Sequence, residues 1–255
     1  MKALALLLVA ALPAFAAIKT ETVEYKDGDT VLEGFVAYDD STDKSRPGVL
    51  VVHDWTGVQD YAKERATMIA KLGYVAFCAD VYGKGIRPTD PKECAALSSS
   101  YKKDLPLLRR RVSLALEQLR KQKLVDKAKV AAVGYCFGGT SVLELARSGA
   151  DVRGVVSFHG GLGTSMPAAA DGVKARVLVC HGADDPFVKL PEVDGFKAEM
   201  KAAKADLRFI SYPGAVHSFT KKEAGTDPSK GQAYNASADH GSWEAMKEFF
   251  GEIFG

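Results

Sequence analysis

Val133-Gly134-Tyr135-Cys136-Phe137-Gly138-Gly139 is the stretch on which the fold turns. Before it stands Lys129-Val130-Ala131-Ala132-Val133, which reads as a short buried strand. After it comes Thr140-Ser141-Val142-Leu143-Glu144-Leu145-Ala146-Arg147, whose apolar residues recur at helical spacing. Cys136 is thereby placed on a strand-to-helix turn. Gly134 and Gly138 bracket it as in the pattern G-x-S-x-G, where strand and helix approach too closely to leave room for a Cβ. Cysteine stands where that pattern usually carries serine. Free N–H groups and the positive dipole end at a helix start favour a thiolate, so position and residue type agree. A buried cysteine in a glycine-rich turn, or a phosphate-binding loop, could present the same seven residues. The rest of the chain has to decide.

Working outward, Glu21 to Tyr25 and Val31 to Tyr38 alternate in polarity around Asp27-Gly28-Asp29, the pattern of a β-hairpin. From Pro47 onward the strands lose that alternation: Val49-Leu50-Val51-Val52, Val75-Ala76-Phe77, Val155-Val156-Ser157-Phe158, Arg176 to His181 and Leu207 to Tyr212. Continuous apolar runs mean strands covered on both faces, hence a parallel sheet between helices. Helical spacing is read at Tyr61 to Leu72, Leu105 to Lys121, Gly138 to Ser148, Glu192 to Ala203 and Ser242 to Ile253. The fold class expected is α/β, with a mostly parallel central sheet, helices on both faces and an N-terminal hairpin. Gly83 to Ser100 reads as one long irregular region, where a lid or pocket wall is expected.

In a chain of 255 residues with 47% apolar and 26% charged residues and a formal net charge of +2, no basic stripe stands out. Nucleic acid is not indicated, and Arg109-Arg110-Arg111 falls inside a helical pattern as a solvated face. Lys2, the apolar run Ala3 to Leu12 and the ending Pro13-Ala14-Phe15-Ala16 have the layout of a secretory signal cleaved after Ala16. That run is too short for a permanent membrane span. The expectation is residues 1–16 as a removed signal, 17–255 as one domain, a periplasmic or secreted location, no stable membrane association and a monomer. Export puts Cys78, Cys94, Cys136 and Cys180 where disulfides can form. Cys78 and Cys180 end apolar runs and read as core residues; a Cys78–Cys94 bridge is left open by the spacing. No C-x-x-C and no zinc spacing are present, so no metal is expected.

A cysteine on an elbow needs a base, an orienter for the base, and donors for an oxyanion. Cys180-His181-Gly182-Ala183-Asp184-Asp185-Pro186 leaves the carboxyl end of one strand, and Gly214-Ala215-Val216-His217-Ser218-Phe219 leaves the end of the next. Functional groups of parallel sheets gather beyond those ends, so Cys136, Asp185 and His217 can meet there. Alone, His217 reads as a surface or core histidine and Asp185 as a turn residue; in this order they read as base and acid of a triad. Asp184 is the rival acid and is expected to face solvent. The backbone N–H groups of Phe137 and Trp55 are the expected oxyanion donors. Asp54 is expected near the thiol as a tuning carboxylate, or else as a cap for the helix near Asp60. His53 and His181 are expected beneath the pocket, His159 before a Gly-Gly turn, and His240 before the last helix.

Gly-Tyr-Cys-Phe-Gly-Gly, the Asp185 loop, Gly-Ala-Val-His-Ser-Phe and the ending Tyr234-Asn235-x-x-Ala238-Asp239-x-x-Ser242-Trp243 resemble the dienelactone hydrolase family over nearly the whole chain after the signal. The resemblance implies an α/β-hydrolase fold and a cofactor-free hydrolase of enol-lactones of the carboxymethylenebutenolide type. It also implies Cys136 as nucleophile, His217 as base and Asp185 as orienter. The chain departs from that pattern in places. Asp54 stands where the family's cytosolic members have glutamate, and Lys84 and Lys221 where they bind a carboxylate with arginines. Lys84, Lys221 and Tyr82 are the substrate-binding residues this implies, with looser carboxylate recognition than a planar guanidinium fork gives. The leading expectation is an exported hydrolase of a lactone or small activated ester, working through a thioacyl-enzyme. Two other classes are weighed against it. One is the cysteine-elbow amidotransferase and intracellular protease group, disfavoured by the strand ends that carry Asp185 and His217. The other is a small-molecule-binding protein that keeps the fold without catalysis, which a chromogenic ester assay separates from an enzyme.

Overall fold

The computed structural model describes residues 17–255; the expected signal segment, residues 1–16, lies outside them. Strands Ile18–Asp27 (β1) and Thr30–Asp39 (β2) pair antiparallel around Gly28-Asp29, where Gly28 takes a φ of 58° that suits a tight hairpin. Arg46–Val52 (β3), Val75–Ala79 (β4), Val125–Tyr135 (β5), Gly154–Phe158 (β6), Arg176–Gly182 (β7) and Leu207–Tyr212 (β8) complete one sheet in the order β1-β2-β4-β3-β5-β6-β7-β8. β2 runs antiparallel to β4, and every pairing from β4 to β8 is parallel.

Asp60–Lys71 (α1) and Ala236–Phe254 (α6) cover one face of the sheet, while Pro91–Lys103 (α2), Leu105–Lys121 (α3), Phe137–Arg147 (α4) and Leu190–Ala202 (α5) supply the other. The continuous apolar runs follow from this arrangement. Val49 and Val51 point into a core with Ile69, Met246 and Phe250, while Leu50 and Val52 point into one with Leu108, Val112 and Val142. All four β3 residues have no exposed surface, and such burial stabilises by about 1.5–3 kcal/mol per side chain.

Three sequence expectations need correction. The stretch expected to be irregular to Ser100 contains α2 from Pro91 onward; Asp90 caps it, its side chain accepting from the N–H groups of Lys92 and Glu93, with Pro91 preset for the first turn. The strand expected at Lys129–Val133 begins at Val125, but its pairing with β3 shifts between Pro47 and Gly48, which hides the polar start of β5 from a periodicity reading. α6 starts at Ala236 rather than near Ser242, capped by Asn235 through the Ala238 N–H at 3.0 Å. All four cysteines are free, so no Cys78–Cys94 bridge forms. Cys94 is buried on α2 with its thiol 3.4 Å from the Pro88 carbonyl. No helix among the described residues is long and apolar enough to cross a membrane.

Candidate active site

β5 ends at Tyr135, and α4 begins at Phe137, so a single residue makes the turn. That residue is Cys136, with φ 56° and ψ −115°, a conformation a non-glycine residue holds only when its surroundings impose it. The glycines impose it. A Cβ on Gly134 would lie 2.0 Å from the Gly138 carbonyl oxygen, and one on Gly138 would lie 2.1 Å from that of Val52. Behind the turn α4 is buried along its whole length, with Glu144 held between Arg109 and Arg147, and Arg147 also bonded to Glu199.

The loops after β7 and β8 deliver the other two groups. His217 Nε2 lies 3.0 Å from Cys136 Sγ, and His217 Nδ1 lies 2.8 Å from Asp185 Oδ2. The Asp185 side chain has no exposed surface, and that of His217 only 14%. Backbone pairing fixes the histidine from below: its N–H donates to the Gly231 carbonyl at 3.2 Å and its carbonyl accepts from Ala233 at 3.1 Å. Burial pushes the imidazole toward neutrality. Electrostatic attraction to Cys136, the hydrogen bonds to Asp185 and Cys136 and the attraction to Asp185 outweigh it, lifting the histidine to about 10. Asp184, the rival acid, is exposed and accepts from the Gly214 N–H at 3.0 Å.

Among the described residues, neither the Phe137 nor the Trp55 N–H donates to an acceptor of the chain. Both residues line a cleft of about 290 Å³ that also exposes Cys136 and His217. Asp54 does not reach the thiol. Its carboxylate accepts from the Thr56 N–H and hydroxyl at 2.8 and 2.5 Å and pairs with Lys221 Nζ at 2.6 Å, so the Asx turn and the ammonium occupy it. Nor does it cap α1, whose N-cap is Gln59.

None of the three residues expected to bind substrate, Lys84, Lys221 and Tyr82, lines the cleft. Lys84 lies on the surface, paired with Glu24 and 3.9 Å from Glu33. Glu24 and Glu33 face each other across the hairpin, and that like-charge pair draws the lysine away from the cleft. Lys221 is engaged by Asp54 over the Tyr61 ring. Tyr82 is buried behind the cleft; its hydroxyl donates to the Trp55 carbonyl at 3.2 Å and its ring packs on His53 and Phe137. His53, buried in turn, stacks beneath Phe137 and is held neutral by burial.

The cleft wall comes instead from the stretch expected to hold a pocket wall, Gly83 to Ser100, which supplies Ala95, Ser98 and Ser99, and from Lys102, Phe187, Val188 and Gln232, which the sequence did not single out. Ala95, Ser98, Ser99 and Lys102 form one face of α2, at helical spacing. Phe187, Val188 and Gln232 complete it, with Phe187 edge-on to the His217 ring at 5.5 Å. Asp90-Pro91-x-Glu93 is a capping pattern that could have announced α2. The sequence puts His159 only before a Gly-Gly turn, yet its Nδ1 accepts from the Cys136 N–H at 3.1 Å. No local pattern signals that contact.

A mostly parallel sheet with a cysteine, an aspartate and a histidine presented in that chain order beyond its strand ends, and joined by hydrogen bonds, has the architecture of an α/β-hydrolase. The model of the dienelactone hydrolase family matches residues 32–254, and the chain belongs to that family. It is 41% identical, with a TM-score of 0.89, to the crystal structure of a dienelactone hydrolase-like promiscuous phosphotriesterase from metagenomic libraries, covering 94% of this chain and all of that one. An uncharacterized protein of Caenorhabditis elegans is 41% identical over 155 residues, 58% of this chain and 94% of its own. A Yersinia pestis protein with the provisional name carboxymethylenebutenolidase is 26% identical over 242 residues, 90% of this chain and 86% of its own.

Proposed function

We propose that the protein is a cysteine-dependent hydrolase of lactones or small activated esters. The observation that carries this reading is the unbroken line from Asp185 through His217 to the Cys136 sulfur, with bonds of 2.8 and 3.0 Å. The thiolate attacks the acyl carbon, and the Phe137 and Trp55 N–H groups receive the oxyanion. The C–O bond breaks, His217 gives its proton to the departing alkoxide, and a thioester on Cys136 remains. His217, now neutral, takes a proton from water; the hydroxide displaces the thiolate and the acid is released. Asp185 holds the ring and its tautomer throughout.

The name of the 41% identical relative favours a second substrate class, neutral phosphotriesters, for which the same thiolate and donors would serve at phosphorus. The location proposed is periplasmic or secreted, supported by the basic start, short apolar run and Ala-x-Ala ending of residues 1–16. The assembly proposed is a monomer, with the triad, both donors and the cleft wall supplied by one chain. Cys136→Ala should abolish turnover of a chromogenic aryl ester while leaving the thermal midpoint near wild type. Retained turnover would overturn the reading.

A further inference from the structure

His159 has no part in the reaction just described, yet it is bonded to both halves of the site. Its Nδ1 lies 3.1 Å from the backbone nitrogen of Cys136, whose N–H it shares with the Phe158 carbonyl at 3.0 Å, and its Nε2 lies 2.6 Å from Thr220 Oγ1, three residues beyond His217 on the same loop. The Thr220 hydroxyl in turn lies 2.6 Å from that of Tyr61 on α1. A backbone N–H can only donate, so Nδ1 carries no hydrogen, and the neutral ring must donate from Nε2 to Thr220. The tautomer is thus dictated by the nucleophile's own amide.

The ring also stands edge-on to His217, with centroids 5.4 Å apart, and to Phe219 at 5.1 Å. His159 is 1% exposed and takes a φ of 40°. Of the five non-glycine residues with positive φ among those described, Cys136, His159 and Ser218 all lie at this point of the molecule. Conformations of that kind persist where the surroundings over-determine them, and they collect at functional sites.

We propose that His159 is a positioning residue, a neutral imidazole strut that ties the backbone of Cys136 to the His217 loop and so fixes the separation of sulfur and base. The proposal rests on the Cys136–His217 reading above. The groups around the ring suit this role. Burial first, then the positive charges of His217, Arg65 on α1 and Lys221 on the histidine loop, hold it well below the ordinary histidine range. Asp239 on α6 is occupied by Arg65, and Asp54 by Lys221, while Tyr61 and Tyr135 present only neutral hydroxyls, both pushed up by burial. A proton on Nδ1 would break the bond to Cys136 and set a second cation against the His217 imidazolium.

The test uses Thr220→Val, which keeps the shape and removes the hydroxyl. His159→Ala and His159→Asn accompany it; the asparagine keeps an acceptor for the Cys136 N–H but is too short to reach Thr220. Three quantities are read for each: kcat and KM for an aryl ester, the thermal midpoint, and the pH profile of Cys136 alkylation by iodoacetamide without substrate. The alkylated residue is assigned by peptide mapping, since Cys78, Cys94 and Cys180 are buried. Thr220→Val and His159→Ala should lower kcat by about tenfold or more with KM within about twofold, and should displace the alkylation profile, while His159→Asn recovers part of the loss. Folded Thr220→Val protein with wild-type kcat and a wild-type profile would overturn the proposal. So would a fall in kcat matched by a lower thermal midpoint with the profile unmoved, which would make His159 a packing residue. If wild-type turnover proves independent of Cys136, the parent reading fails and takes this one with it; the alkylation profile tells the two failures apart.

Discussion

The two sides of the cleft are built by opposite rules. On the elbow side Cys136 is held by its bonds to Phe158 and His159, and Gly134 and Gly138 leave no space beside it. On the other side Ala95 and Lys102 project from an exposed face of α2, and Phe187 is 61% exposed. Under the proposed function the first side sets which reaction can occur, and its packing leaves little there that can change without loss. The second sets which molecule is held, and it tolerates change because its side chains border solvent and constrain few neighbours. Reaction type and substrate choice are therefore written in separate parts of the chain.

Gly138→Ala attacks the tight side directly and should have the largest effect. Its methyl would meet backbone oxygens of Val52 and His53, which cannot swing aside, so activity should vanish and stability fall by about 3 kcal/mol on thermal or denaturant unfolding. An active, stable variant would mean that the elbow is looser than described. Asp185→Asn leaves the packing intact and should lower kcat by about 10³–10⁴-fold, with Asp184→Asn within about threefold of wild type. The reverse ranking would assign the orienting role to Asp184.

The raised His217 also fixes a pH limb. Its charged form persists through neutrality and is lost as pH rises through about 10, so kcat/KM for alkyl esters, whose alkoxide needs a proton, should fall across that range. Aryl esters, with a better leaving group, should fall less. Asp185→Asn removes one of the interactions that lift His217, so the limb should move to lower pH. A limb unmoved by that variant would separate the two residues electrostatically.

On the open side the effects should be small. Lys102→Gln should raise KM for a carboxylate-bearing ester by about threefold and leave a neutral ester unchanged, through loss of a screened point charge. Lys84→Gln should change neither, because the lysine is spent on Glu24 of the hairpin. An effect of Lys84→Gln on the anionic ester would place its side chain at the cleft after all.

The same contrast explains what could be read in the sequence. The hairpin, the parallel strands and the elbow were legible because polarity alternation, continuous apolar runs and bracketing glycines are local signals. Asp185 and His217 were legible because strand ends gather at one edge of a parallel sheet, which brings together groups 32 residues apart. The open side was legible only in part: a pocket wall is expected in Gly83 to Ser100, and Ala95, Ser98 and Ser99 line the cleft, but on a helix. α2 carries Ser98-Ser99-Ser100 on a weakly apolar helix, so its residues read as a loop despite the capping signal at Asp90. Lys84 and Lys221 were misplaced because their partners, Glu24 and Asp54, lie 60 and 167 residues away in the chain. An ion pair over that distance leaves no trace in local pattern.

The central claim, that Cys136 carries the acyl group, is tested most directly by trapping it. Wild-type protein mixed with an excess of an activated aryl ester and quenched in acid within the first turnover should gain one acyl mass. That mass should map to the peptide containing Cys136, in amount equal to the burst of phenol released. A burst without the adduct, or an acyl group on any other residue, would contradict the account.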